Sequence, residues 1–104
     1  MNYSASNYVS AYRNGLLSNS HPLFEQTCRL SSMIREAMDL HEHIEQLYNT
    51  RDEEGFFDID LDKVHRFRSR LQSLESDIQE ETEELDAMIT KLYPVQPASP
   101  VTMV

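Results

Sequence analysis

The chain has 104 residues, of which 39% are hydrophobic, and it contains no Trp. This composition predicts at most one domain, with a thin helical core rather than a thick globular one. Its two glycines and four prolines are too few for a β fold rich in turns. The formal charge of −9 argues against nucleic-acid binding, because neutralising phosphates requires clustered Lys and Arg. The same charge favours solubility and a basic partner.

The N-terminal residues and the single cysteine bear on where the chain is located. No apolar run of signal-peptide length follows Met1, and Asn2 excludes N-myristoylation, which requires Gly at that position. No stretch approaches the roughly 20 apolar residues of a membrane span, so we expect no membrane insertion. Cys28 has no partner for an intramolecular disulfide. We therefore expect a cytoplasmic protein, or one secreted by a route that requires no oxidation.

Residues 1–20 form a polar N-terminal segment with scattered aromatic side chains. Tyr8, Tyr12 and Leu16 recur every four residues, which predicts a short helix near Ser4–Asn14. Isolated helices of this length are marginal in water. The helix must therefore pack against another part of the protein.

Residues 21–93 are predicted to form a helical hairpin whose first helix spans about 22–52. Its main apolar stripe advances by steps of three and four residues and is interrupted at Gln26. The stripe comprises Leu23, Leu30, Met33, Ala37, Leu40, Ile44 and Leu47. A second row beside it comprises Ile34, Met38, His41 and Tyr48. Together they make an apolar face wider than two paired helices require, so we expect a third element to cover it.

Residues 52–60 are predicted to break the helical pattern. Gly55 can adopt the left-handed conformation that closes a helix, after which Phe56 is expected to fold back on the last turn. Asp60 is the expected N-cap of the second helix, because its carboxylate can accept a hydrogen bond from a free backbone N–H.

The second helix is predicted over about 60–93 and is stopped by Pro94. Steps of three and four residues again define one row, in which only Glu81 is polar. The row comprises Val64, Phe67, Leu71, Leu74, Ile78, Glu81, Leu85, Met88 and Leu92. Residues 94–104 are expected to be a disordered tail that contains several prolines. Its last residues, 101–104, resemble a ligand for PDZ domains.

Folding the chain back near Gly55 pairs the two apolar stripes layer by layer. The predicted layers are Leu47 with Val64, Ile44 with Phe67, Leu40 with Leu71, Ala37 with Leu74, and Met33 with Ile78. The next layer would place Leu30 opposite Glu81. This agreement predicts an all-α fold, an antiparallel two-helix hairpin that resembles a coiled coil. Two helices alone bury too little apolar surface to offset chain entropy. We expect the N-terminal segment, oligomerisation or a partner to complete the fold.

Charges along the second helix are arranged in two blocks. Residues 63–70 contain Lys63, Arg66, Arg68 and Arg70, whereas residues 75–86 are rich in Asp and Glu. An antiparallel copy of the helix would bring each block against its opposite, which favours an antiparallel homodimer. The alternative interpretation is a solvated charged face. Glu81 either reaches water at the open end of the hairpin, fixes the register, or pairs with a partner's Arg or Lys.

No pattern in the sequence indicates catalysis, a cofactor or a metal. Asp58, Asp60 and Asp62 resemble the start of a calcium-binding loop, but Lys63 and Ser69 stand where that loop needs Gly and Glu. His41 and His43 point in different directions on a helix. Cys28 lacks a second cysteine or a histidine at useful spacing. We therefore predict a protein that is not an enzyme.

The leading hypothesis is a helical protein–protein interaction module: an adaptor, an assembly subunit or a chaperone-like binding protein. It would pair through coiled-coil contacts with a second copy or with a helical partner protein. The predicted partner-binding residues are Ile34, Met38, His41, Tyr48, Phe67, Leu71, Leu74, Ile78, Glu81 and Leu85. The rival hypothesis is an acidic inhibitor that occupies a basic nucleic-acid-binding or anion-binding surface of a target protein, with residues 75–86 as its charge array.

Overall fold

The computed structural model of the chain describes residues 4–94. It contains three helices, α1 (Ala5–Arg13), α2 (Phe24–Tyr48) and α3 (Leu61–Leu92). Within the described residues there is no strand, only an isolated bridge between Arg51 and Phe57. The all-helical prediction is confirmed. The predicted tail beyond Pro94, including the motif at 101–104, lies outside the described residues.

Helix α1 begins and ends close to the predicted span. Ser4 is in extended conformation and its hydroxyl accepts a hydrogen bond from the Asn7 N–H, while the Asn7 side chain accepts one from the Ser4 N–H. This reciprocal capping satisfies backbone donors that the helix leaves free at its start. After Asn14 the chain turns at Gly15, whose φ of 70° suits a residue without a Cβ.

Helix α2 is shorter than predicted at both ends. It begins at Phe24 rather than near residue 22, and it ends at Tyr48 rather than near residue 52. The early end has a local cause. The Asn49 amide donates to the Glu45 carbonyl and the Thr50 hydroxyl donates to the Gln46 carbonyl. The Asn49 backbone N–H also donates to both carbonyls, so the last carbonyls of α2 are satisfied without a further turn of helix.

Residues 49–60, which we call the tip loop, make a compact turn between α2 and α3. Gly55 has a φ of 90°, the left-handed conformation predicted for it. The prediction that Phe56 folds back on α2 is wrong, because 67% of this residue is exposed. The Asp52 carboxylate accepts hydrogen bonds from the backbone N–H groups of Glu54 and Phe56. This local turn directs Phe56 away from the helix.

Helix α3 begins as predicted and pairs with α2. The Asp60 carboxylate accepts a hydrogen bond from the Lys63 N–H at 3.0 Å. Two ion pairs show that α2 and α3 are antiparallel. Arg29 of α2 pairs with Glu81 of α3, whereas Glu36, nearly two turns later in α2, pairs with Arg70, which lies earlier in α3.

The core is divided into two clusters. The first, which we call the closed cluster, lies where α1 packs on α2 and α3: Ala5, Tyr8, Val9, Leu23, Leu30, Leu85 and Ile89. The second, which we call the seam cluster, lies between α2 and α3 alone: Ala37, Leu40, Ile44, Leu71 and Leu74. Ile78 packs against both clusters. The third element expected for the wide face of α2 is therefore α1, and it covers one end of that face.

The predicted apolar row of α3 fails at its C-terminal end. Met88 and Leu92 are exposed, and Ile89 is buried in their place. A straight α-helix has 3.6 residues per turn, so a strict seven-residue repeat drifts by about 20° per heptad relative to it. By the last turns the buried face has moved by one residue, which is why Ile89 faces the core.

Candidate functional site

A concavity of about 490 Å³ lies where α1 meets α2 and α3. We call the surface that continues from it between α2 and α3, as far as Tyr48, the open groove. Ser6, Ser10 and Arg13 of α1 form the wall of the concavity. Leu30 and Ile34 of α2, with Thr82 and Asp86 of α3, line the rest. The arrangement provides an apolar floor with polar sides, bounded at one end by a helix.

The α2 border of the groove is the second apolar row predicted from the sequence. Ile34 is partly buried at the concavity and Tyr48 is partly buried at the other end of the helix. Between them Met38 is 60% exposed and His41 is exposed. A long apolar side chain at the centre of such a row lacks the packing partner that its neighbours have.

The α3 border is defined by three positions spaced seven residues apart. The Arg68 guanidinium lies 5.6 Å from the centroid of the Tyr48 ring. Thr82 lines the concavity beside α1. Glu75 lies seven residues from each of them, so it shares their side of the helix. The Ile34–Tyr48 row of α2 and the Arg68–Thr82 row of α3 therefore border the open groove on its two sides.

Helix α1 is fastened to its end of the groove by polar contacts as well as apolar ones. The Asp86 carboxylate accepts a hydrogen bond from the Ala5 N–H at 2.7 Å, so a negative charge lies at the positive end of the α1 dipole. Tyr12 contacts the Cys28 thiol at 3.1 Å and its ring lies 5.5 Å from that of Phe24. The hydrogen bond with Cys28 raises the pKa of Tyr12 above its ordinary value.

Glu81, the polar residue in the α3 row, finds its partners inside the chain. It accepts a hydrogen bond from the Gln26 side-chain amide and forms an ion pair with Arg29 at 3.3 Å. Gln26 is itself the polar interruption of the α2 stripe, so the two breaks in the two patterns contact each other. The predicted layers instead placed Leu30 opposite Glu81, one turn away from this pair. The sequence did contain a signal for this contact, because each apolar stripe has one polar interruption, Gln26 in α2 and Glu81 in α3.

The other predicted partner-binding residues lie mostly inside the molecule. Leu71 and Leu74 are buried in the seam cluster, and Leu85 is buried in the closed cluster. Phe67 and Ile78 are partly buried against the same clusters. A partner would reach these five side chains only if α2 and α3 separated. The predicted residues that line the accessible groove are those of the α2 row.

Across residues 4–94, no three His, Cys, Asp or Glu side chains gather in a way that could hold a metal ion. None of α1, α2 and α3 is long and apolar enough to cross a membrane. Comparison of the chain with known protein families, with curated proteins and with solved structures gave no match.

Proposed function

We propose that the chain is a non-enzymatic helical interaction module that binds one helix of a partner protein in the open groove. The observation that carries the proposal is the 60% exposure of Met38 in the middle of a row whose end members, Ile34 and Tyr48, are partly buried. Amphipathic helices bind such grooves through side chains at successive turns. In this view α2 and α3 act as a coiled-coil-like hairpin that serves as the platform.

Helix α1 supports the proposal because it already occupies one end of the same platform. Val9 and Ala5 of α1 are buried against Leu30 and Leu85. The end of the groove therefore accepts a helix laid over α2 and α3. A partner helix in the open part would abut the α1 wall and cover Met38 as α1 covers Leu30. Adaptors, assembly subunits and chaperone-like proteins act through contacts of this type, and we expect such a role in the cytoplasm.

Acidic residues at the groove outnumber Arg13 on its wall and Arg68 on its border, which favours a basic partner helix. Glu42 and Glu45 of α2 are exposed on the turns that flank His41, and Glu75 stands on the α3 border. The whole chain carries a formal charge of −9. Lys or Arg residues beside the apolar stripe of the partner would be attracted to these carboxylates. The partner is thus an amphipathic helix with apolar residues every three to four positions and basic residues at its flanks.

A designed peptide can take the place of the partner helix in a binding experiment. The probe is a synthetic helix of about five turns with Leu along one face and Lys beside it. A peptide of the same composition, scrambled so that no stripe remains, is the control. We expect saturable binding of the striped peptide, with NMR shift changes at the Met38 methyl and at Ile34.

Two exposed apolar residues provide matched variants for the same experiment. Met38→Glu should abolish binding of the striped peptide, whereas Leu16→Glu should leave it unchanged, because Leu16 is exposed and is not among the residues that line the concavity. Equal binding of striped and scrambled peptides would refute the proposal. So would shift changes confined to residues outside the groove.

The acidic-inhibitor hypothesis keeps one observation in its favour. Glu80, Glu83 and Glu84 are exposed and line a shallow concavity on α3 with Ala87. Of the ion pairs formed within residues 4–94, neither involves these three carboxylates. Binding through this array would be lost on raising the salt concentration from low to moderate, whereas binding in the groove would persist. Replacing all three with Gln would remove the first mode and spare the second.

A further inference from the structure

The tip loop fixes the backbone of an exposed aromatic residue, Phe56. The Asp52 N–H donates to the Phe56 carbonyl and the Asp52 carboxylate accepts from the Phe56 N–H. The Arg51 guanidinium donates to the Gly55 carbonyl and lies 4.2 Å from the centroid of the Phe57 ring. Phe57 is therefore part of the loop's own structure, whereas Phe56 projects into solvent. An aromatic side chain has only two rotatable bonds, so it loses little entropy on binding.

A second feature of the same end of the molecule is a small pocket between α2 and α3. Leu47 and Phe67 supply its apolar surface, and His43, Gln46, Thr50 and Lys63 complete it. Its volume is about 370 Å³. The His43 ring packs on Phe67 at 5.9 Å between centroids. The pocket thus combines an aromatic surface with the ammonium group of Lys63 at its rim.

The charge beside Phe56 is opposite to that of Lys63 in the pocket. Glu53, Glu54 and Asp58 surround Phe56 in sequence, and all three are exposed. Lys63 is the one Lys, Arg, Asp or Glu residue that lines the pocket, and Asp60 and Asp62 precede it in sequence. The chain does not satisfy this complementarity within itself, because Phe56 is not among the residues that line the pocket and is 67% exposed.

We propose that two copies of the chain associate tip to tip about a twofold axis, so that Phe56 of each copy enters the pocket of the other. Glu54 of each copy then faces Lys63 of its partner copy. Such a contact closes on itself, because each copy contributes one projecting side chain and one pocket from the same end of the molecule. This contact shares no residue with the open groove, so its test is independent of the test of the function proposed above.

The contact is small, and association should accordingly be weak and dependent on protein concentration. Interfaces below about 1,200 Å² in total are typical of transient complexes. Sedimentation equilibrium of the purified chain over a wide concentration range should show a monomer that converts to a dimer and to no larger species. Phe56→Ala should raise the dissociation constant by at least about tenfold, since aromatic residues in pockets dominate such contacts. Leu16→Ala, at the opposite end, is the matched control and should change nothing.

Two charge reversals test whether the contact is made between copies. Glu54→Lys alone places like charges at both Glu54–Lys63 contacts of the dimer, and Lys63→Glu alone does the same with the opposite sign. Each single variant should remain monomeric at concentrations where the wild type is dimeric. A one-to-one mixture of the two variants should recover the dimer, because both contacts of the mixed pair then join opposite charges.

Circular dichroism of each variant should show the helix content of the wild type, because Phe56, Glu54 and Lys63 are all exposed. A wild-type chain that stays monomeric at every concentration would overturn the proposal. So would an unchanged dissociation constant in Phe56→Ala, or a mixture of the charge variants that stays as monomeric as its components. Met38→Glu, which disrupts the groove, should leave this dimer intact.

Discussion

The two ends of the α2–α3 pair differ in how completely they bury their core. In the closed cluster, under α1, Leu85 is 0% exposed, Leu30 1% and Ile89 2%. In the seam cluster, which α1 does not reach, Leu40 remains 9% exposed, Ile44 8%, Leu71 7% and Leu74 3%. The side chains are similar, so the difference comes from the number of helices around them. Two helices leave one side of each core residue near water, and a third helix closes it.

A helix of nine residues is enough to make this difference. Too short to be stable alone, α1 gains its stability from packing on α2 and α3. The remaining length of the pair has no such cover among the described residues, which is why the open groove ends where the closed cluster begins. The same substitution should therefore have unequal effects on stability in the two clusters.

Matched Leu→Ala substitutions should show the largest effect. Leu85→Ala in the closed cluster should lower the free energy of unfolding by about 4 kcal/mol, because a fully enclosed cavity cannot collapse. Leu71→Ala in the seam cluster should cost only about 2 kcal/mol, because water and neighbouring side chains can relax into the space. Urea denaturation of both variants measures the two losses. Equal losses, or a larger one for Leu71, would remove the distinction between the clusters.

Detaching α1 should convert the closed end into an open one. Val9→Asp places an unpartnered carboxylate among Leu30, Leu85 and their neighbours, which should cost about 2–3 kcal/mol and release α1 rather than unfold the chain. Circular dichroism should lose the signal of one short helix. Ser10→Asp adds the same charge to an exposed position of α1 and serves as the control. If Val9→Asp left α1 in place, the packing described for it would be wrong.

The hydrogen bond at the start of α1 should have a smaller effect. Asp86→Ala removes the acceptor of the Ala5 N–H and the negative charge at the α1 N-terminus, at a cost of about 1 kcal/mol. Glu83→Ala, a carboxylate on the same helix that does not contact α1, should change the stability by far less. The difference between the two melting temperatures isolates the contact. No difference would mean that Asp86 contributes nothing to the docking of α1.

The exposed ion pair between Arg70 and Glu36 should contribute least. Both side chains remain about half exposed, at 54% and 46%, so solvent screens their attraction. Arg70→Ala is expected to change the free energy of unfolding by no more than about 0.5 kcal/mol. A double-mutant cycle with Glu36→Ala measures the coupling directly. A coupling above about 1 kcal/mol would contradict the view that this pair is merely a surface contact.

Local rules predicted the helical elements well. Asp60, the expected N-cap of α3, accepts the backbone hydrogen bond predicted for it, and Ser4 caps α1 in the same way. The spacing of Leu40, Leu71 and their neighbours predicted the seam cluster, because the period of apolar residues reports the buried face directly. The predicted end of α2 was wrong. Asn49 and Thr50 cap this helix with their side chains, and the spacing of hydrophobic residues does not show that such caps are present.

The candidate site was only partly predictable for a related reason. The row from Ile34 to Tyr48 was recognisable as a second apolar face, since its members share one side of a helix. How much of that face α1 would cover depends on where α1 crosses, and this is set by Asp86 and by Tyr12 with Cys28. Those contacts join residues far apart in sequence. No spacing rule encodes them, so the boundary between closed and open groove emerged only from the structure.

Amide hydrogen exchange along α2 and α3 tests the difference between the two ends most directly. An ordinary two-helix pair is best protected at its centre and frays towards its ends. If α1 closes one end, the slowest amides will be those of residues 27–34 and 82–89, ahead of the more central residues 37–44 and 71–74. Protection that peaks at the central residues and declines beneath α1 would contradict the account.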